Sequence, residues 1–104
     1  LTDSEKNNFD YQNIDDVIHS RIRLAIMSVL ISLDEADFNF LKSKVKATDG
    51  NLSVHLKKLE DAGYISSRKE FIDRKPKSTY KLTAKGRRAF EKYVEQLEKF
   101  VLKK

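Results

Sequence analysis

The residues of this 104-residue chain whose types and spacing suggest chemistry are small polar and basic ones. No nucleophile is paired with a base, no glycine-rich loop is set to cradle a phosphate, and the carboxylates fall only on polar faces, so no catalytic site and no enzymatic activity are expected. The chain has no cysteine, and its two histidines, His19 and His55, form no recognisable ligand set, so neither a metal nor a cofactor is expected. The stretch Thr48 to Lys58 is different in kind. With Leu52 pointed at a core, a step of about 100° per residue turns Gly50, Val54, Lys57 and Asp61 to the opposite face, with Asn51, Ser53 and Lys58 flanking. Asparagine can read adenine, serine can donate or accept, and an apolar side chain can touch the thymine methyl. Thr48, Asn51, Ser53, Val54, Lys57 and Lys58 therefore suit the major groove of duplex DNA. Gly50 weakens the first turn but lets the backbone approach a phosphate. Taken alone, the stretch reads equally well as a surface helix with a fortuitous valine and a frayed first turn.

The distribution of charge decides between these readings. The formal net charge is only +5. Residues 1–40 hold eight acids against three bases, whereas residues 64–88 hold nine bases against two acids, Glu70 and Asp73. A region at +7 thus stands against an acidic first third at −5, which is expected to face away from it. Arg74, Lys75 and Lys77 fall at the tip of an expected hairpin. There they would repel one another by about tenths of a kcal/mol per pair, with Asp73 alone to compensate. Phosphates or a minor groove would supply the counter-charge, and Pro76 stiffens the tip for docking. A solubilising hairpin that protects a sheet edge is the plainer reading of the tip by itself. Lys42, Lys44 and Lys46, before the candidate helix, either reach flanking phosphates or form a solvated face.

The elements that must position these groups follow from periodicity and caps. Residues 1–12 read as a flexible arm. Asn13 is placed to cap a helix in which Ile14, Val17, Ile18, Ile22, Ala25, Ile26, Val29, Leu30 and Leu33 share one face, either as one long helix or as two with a bend near Ser20. His19 is expected to be partly buried at that bend. Asp34–Asp37 breaks the pattern. Phe38, Leu41 and Val45 fit a short helix capped by Asp37 or Asn39. Thr48 opens the next helix and Gly63 ends it. A strand from Tyr64 to about Ile72, a turn over 73–76 and a strand over 77–82 make the hairpin, and Thr83 caps a last helix. Its stripe of Phe90, Val94, Leu97 and Val101, with Tyr93 and Phe100, is wider than so small a core needs. Its inner part is expected to cover the core and its C-terminal part, with residues 9–18, to meet a second copy.

This order, α-α-α-β-β-α, is mainly helical with a β-hairpin, an α+β winged helix-turn-helix. The run Thr48-Asp49-Gly50-Asn51-Leu52-Ser53-Val54-His55-Leu56-Lys57-Lys58-Leu59-Glu60-Asp61-Ala62-Gly63-Tyr64-Ile65 resembles the recognition helix of MarR/ArsR-type regulators and its passage into the wing. Tyr80-Lys81-Leu82-Thr83-Ala84-Lys85-Gly86-Arg87 resembles their passage from wing to last helix. The resemblance spans about residues 14–100. It implies a DNA-binding domain over 13–82, a dimerising helix over 83–104, and a homodimer that reads palindromic duplex DNA to regulate transcription. Many ArsR-type proteins sense metals through Cys and His pairs, a pattern this sequence departs from, and no residue set points to an effector. The alternatives are a winged-helix protein-interaction module, whose basic hairpin docks an acidic partner, and an RNA-binding winged helix. The longest apolar run, Ala25 to Leu33, is too short for a bilayer span and no basic-then-apolar leader opens the chain, so a soluble, cytoplasmic protein is expected.

Overall fold

A computed structural model describes residues 11–102, with the side chains of 101 and 102 outside the description. The expected arm thus lies outside it except for Tyr11 and Gln12, which begin a single 3-10 turn, Tyr11–Asn13. Among the described residues the elements run α1 (Arg21–Ser32), β1 (Ala36–Asp37), α2 (Phe38–Val45), α3 (Asp49–Asp61), β2 (Ile65–Ile72), β3 (Lys75–Leu82) and α4 (Ala84–Leu102). The three strands form one antiparallel sheet in the order β1-β3-β2.

The first helix begins later than the periodicity suggested. The Asp15 carboxylate accepts the amides of Val17 (2.8 Å) and Ile18 (3.1 Å), which closes a turn in place of a helix start. That turn drives Ile18 fully into the core. Ser20 then caps α1 in extended conformation and accepts the Arg23 amide, so the break near Ser20 separates a turn from a helix rather than two helices. His19, at this break, is exposed rather than partly buried, and its Nδ1 is hydrogen-bonded to the Tyr93 hydroxyl at 2.9 Å.

One element was not expected. Ala36 and Asp37 pair with Tyr80 and Thr79 as a two-residue strand. Asp37 also caps α2 by accepting the Phe40 amide at 2.8 Å. The next helix has both of its expected bounds. Thr48 accepts the Asn51 amide at 3.2 Å. At the far end Gly63 adopts φ 80, the Gly63 amide donates to Glu60 and the Tyr64 amide to Leu59, the double bond of a Schellman stop.

The hairpin turn is tighter than a four-residue loop. Asp73 and Arg74 alone form it, at φ 52 and 66, the doubly left-handed geometry of a type I′ turn that matches strand twist. Lys75 and Pro76 therefore belong to β3. β1 pairs with β3 only at Thr79 and Tyr80, so Pro76 sits where β3 has an open edge and its missing N–H is tolerated. The core joins Ile26, Met27 and Leu30 of α1, Leu41 of α2, Leu52, Leu56 and Leu59 of α3, Ile65, Tyr80 and Tyr93. It is on this core that α3 and the hairpin are mounted.

Candidate nucleic-acid interface

The helix α3 is divided cleanly by burial. Leu52, Leu56 and Leu59 are essentially inaccessible, and on the other side Asn51, Ser53, Val54, Lys57 and Lys58 are exposed. Val54 keeps 59% of its surface in solvent. Thr48 stands at the head of this face with its hydroxyl oxygen engaged as the cap. His55 lies on the flank, where Arg23 donates to its Nδ1 at 2.8 Å. Arg23 Nε also donates to the Val17 carbonyl, so one guanidinium ties α3 to the turn before α1. Burial first, then the charges of Arg23 and Lys58, lower the His55 pKa from its usual value.

Ion pairs sort the basic residues. Lys42 is held by Asp49 at 2.7 Å, a bridge from α2 to the first turn of α3. Lys57 pairs with Asp61 one turn on at 3.3 Å. Lys44 lies over the Phe40 ring, 5.5 Å from its centre. Lys46 occupies the left-handed position that ends α2. On the hairpin, Lys77 is 3.9 Å from Asp37 and stands two residues along β3 from Lys75, back from the turn itself. Arg68 is shared between Glu35 (3.2 Å) and Glu70 (3.5 Å). The acidic first third therefore does not lie wholly away from the wing, because β1 carries Asp37 to the edge of β3 with Glu35 just before it. On the exposed side of α3 and the outer part of the hairpin, Lys58, Lys69, Arg74 and Lys75 make no ion pair among the described residues, and neither do Arg21 and Lys46 beside them.

Two basic residues in this region were missed by sequence reasoning. Lys69 is exposed on β2 opposite Ser78. Arg21 lines a cleft of about 340 Å³ between α1 and α3 with Lys46, Thr48 and Asn51. A base in the first turn of a helix opposes the helix dipole, which was the available signal for Arg21.

The stripe on α4 also divides. Tyr93 is buried, and Phe90 and Leu97 pack partly against the core, while Val94 is turned outward at 38% exposure. The side chain of Val101 lies outside the described residues. Among the described residues no group of His, Asp and Glu is placed to hold a metal, and no helix is long and apolar enough to cross a membrane.

Comparison with known proteins agrees with this geometry. A family model described as a winged helix DNA-binding domain matches residues 22–101. An uncharacterised protein of Methanocaldococcus jannaschii is 41% identical over 81 residues, 78% of this chain and 88% of that protein. A transcriptional regulator homologue from Pyrococcus horikoshii superposes with a TM-score of 0.77 at 22% identity, covering 97% of this chain and 95% of that one. PadR of Bacillus subtilis, solved in complex with operator DNA, superposes with a TM-score of 0.61 at 25% identity, covering 72% of this chain and 46% of that one. With α3 set on the core beside a hairpin wing, and with this match over most of its length, the chain belongs to the winged helix DNA-binding domain family.

Proposed function

We propose that this chain is a sequence-specific transcription regulator that binds duplex DNA as a homodimer. The observation that supports it best is the exposed face of α3, where Val54 lies among Asn51, Ser53, Lys57 and Lys58, opposite a fully buried leucine row. In this reading α3 enters the major groove. Asn51 and Ser53 contact base edges, Val54 meets a thymine methyl, and Lys57 and Lys58 reach bases or phosphates. The wing, through Arg74, Lys75 and Lys77, lies on the minor groove or backbone. Thr48, Lys46, Lys44 and Lys42 flank the phosphates, joined by Arg21 and Lys69. The operator complex of PadR supports duplex DNA as the partner. The outward side of α4, led by Val94 with the uncovered parts of Phe90 and Leu97 and with Val101, is the surface for a two-fold mate. Two such protomers would read half-sites of a palindrome about one DNA turn apart. A cytoplasmic location accords with this role.

The test is selection of bound fragments from a random duplex pool, followed by gel shifts. Asn51→Ala should weaken the selected site by about 1–3 kcal/mol and relax base choice, while Arg74→Ala should weaken all sequences and flatten the salt slope. Equal losses for both variants on every duplex would overturn this division of labour. Absence of any duplex binding at low salt would overturn the reading itself, in favour of a protein-interaction module or, if structured RNA binds instead, an RNA-binding one.

A further inference from the structure

The largest exposed apolar side chain on the hairpin has no role in the contacts described so far. Phe71, the penultimate residue of β2, leaves 79% of its surface in solvent beside the half-exposed Ile72. The register sets Phe71 opposite Pro76 and Lys69 opposite Ser78. Alternation then puts Ser67, Lys69 and Phe71 on one face of the wing with Ser78 and Pro76. This face is the one turned toward α3, because Ser67 donates from its hydroxyl to Glu60 on that helix at 2.6 Å. The phenyl ring thus projects from the far end of the hairpin on the side of the candidate reading helix.

Its surroundings define the partner. Lys69 shares this face two residues before it, Arg74 sits in the adjoining turn, and Lys75 lies at the same end of the hairpin on the opposite face; none of the three makes an ion pair among the described residues. Of the two nearby acids, Glu70 is engaged with Arg68. An apolar ring among unpaired cations does not fit a second copy of the same wing, whose like charges would repel. It fits a polyanion with an apolar interior, which is the stacked-base column of duplex DNA behind its phosphates. The backbone support is stiff, since a two-residue turn and Pro76 restrain the hairpin end that carries the ring, so little backbone entropy is lost on insertion.

We propose that Phe71 is a wedge that enters the minor groove beside the major-groove half-site, partly unstacks one base step and kinks the duplex. The inference rests on the DNA-binding reading above and adds to it a contact that selects by deformability. Pyrimidine–purine steps unstack most readily. Selected sites should therefore carry a TA or CA/TG step at a fixed distance outside the segment read by α3.

The experiment uses the full chain and an end-labelled duplex bearing the sequence selected from a random pool. Affinity is read by anisotropy and bending by energy transfer between the duplex ends. The wild type should bend the duplex. Phe71→Ala should bind roughly ten-fold more weakly, which is the loss of one aromatic–base stack. It should lose the bend and keep the salt slope, since no charge is removed. Phe71→Leu should retain most of the bend, because leucine also serves as a wedge. A straight duplex with the wild type, or a Phe71→Ala complex bent as much as the wild type, overturns the wedge while the DNA-binding reading stands. A change in sedimenting mass for Phe71→Ala alone, with bending intact, overturns it in favour of self-association. If the wild type binds no duplex, both readings fall.

Discussion

Substituting alanine at Gly86 tests how the last helix is joined to the rest of the fold. Gly86 lies in the first turn of α4 and its missing side chain faces the Tyr64 backbone. A Cβ there would stand 2.0 Å from the Tyr64 carbonyl oxygen and 2.8 Å from its carbon. No relaxed structure holds such a contact, so α4 would have to move by about an ångström. The same carbonyl accepts the Thr83 amide at 3.0 Å, and the Thr83 hydroxyl oxygen accepts the Gly86 amide at 2.9 Å. Displacement would loosen both bonds, at about 0.5–1.5 kcal/mol each, and add an overpacking cost of about 1–3 kcal/mol. The expected destabilisation is about 2–6 kcal/mol, a large part of the roughly 5–15 kcal/mol that holds a small domain. The melting midpoint should fall by about 10–30 °C. Urea unfolding followed by far-ultraviolet circular dichroism measures this directly, and Gly50→Ala is the control. Nothing lies within 4 Å of a Cβ at Gly50, in the first turn of α3, so that variant should be neutral or more stable by up to about 1 kcal/mol. If Gly86→Ala stays within about 0.5 kcal/mol of the wild type, or both glycines respond alike, the close docking of α4 on Tyr64 is refuted.

Other expectations are equally open to measurement. Arg74 holds φ 66 in the hairpin turn, a strained position for a side-chain-bearing residue. Arg74→Gly should therefore leave stability unchanged or raise it by about 1 kcal/mol while weakening DNA binding, and a drop in both would count against a charge kept at the tip for a ligand. His55 is a base whose pKa is lowered in the folded state by burial, Arg23 and Lys58. Its contribution to stability is thus complete above the unfolded value near 6.5 and is lost as pH falls through the lower folded value. Melting midpoints should decline between about pH 7 and pH 5, and His55→Gln should flatten part of that decline; an unchanged slope would exclude His55 as its source. Tyr64 donates to Asp15, and burial and that carboxylate raise its pKa to about 12. Tyr64→Phe should cost about 1 kcal/mol by equilibrium unfolding and leave base preference unaltered. Altered base preference would mean that the turn before α1 sets the pose of α3.

Legibility in the sequence tracked the range of the interactions concerned. The bounds of α3 could be read because Thr48 caps and Gly63 stops within one turn of the helix they delimit, and its exposed face followed from the spacing of three leucines. The start of α1 was misplaced because Asp15 can serve a turn as well as a helix, and the choice was made by burying Ile18. The tight turn at Asp73-Arg74 was obscured by Pro76, which usually marks a loop but here sits at a strand position with an open edge.

The sequence by itself determined the order of helices and strands, the exposed polar face of α3 and the concentration of basic residues on the hairpin. Caps, periodicity and local composition act between neighbours and leave their mark on the chain. Tertiary structure alone decided that two residues, Ala36 and Asp37, would form a third strand. It decided that Glu35 and Asp37 would neutralise Arg68 and Lys77, leaving Lys69, Arg74 and Lys75 unpaired. It also turned the exposed phenyl ring of Phe71 to the face of the hairpin that meets α3. All depend on strand register, and the ion pairs also on charges more than thirty positions apart coming within about 4 Å, where a pairing energy exists only once the fold has closed the distance.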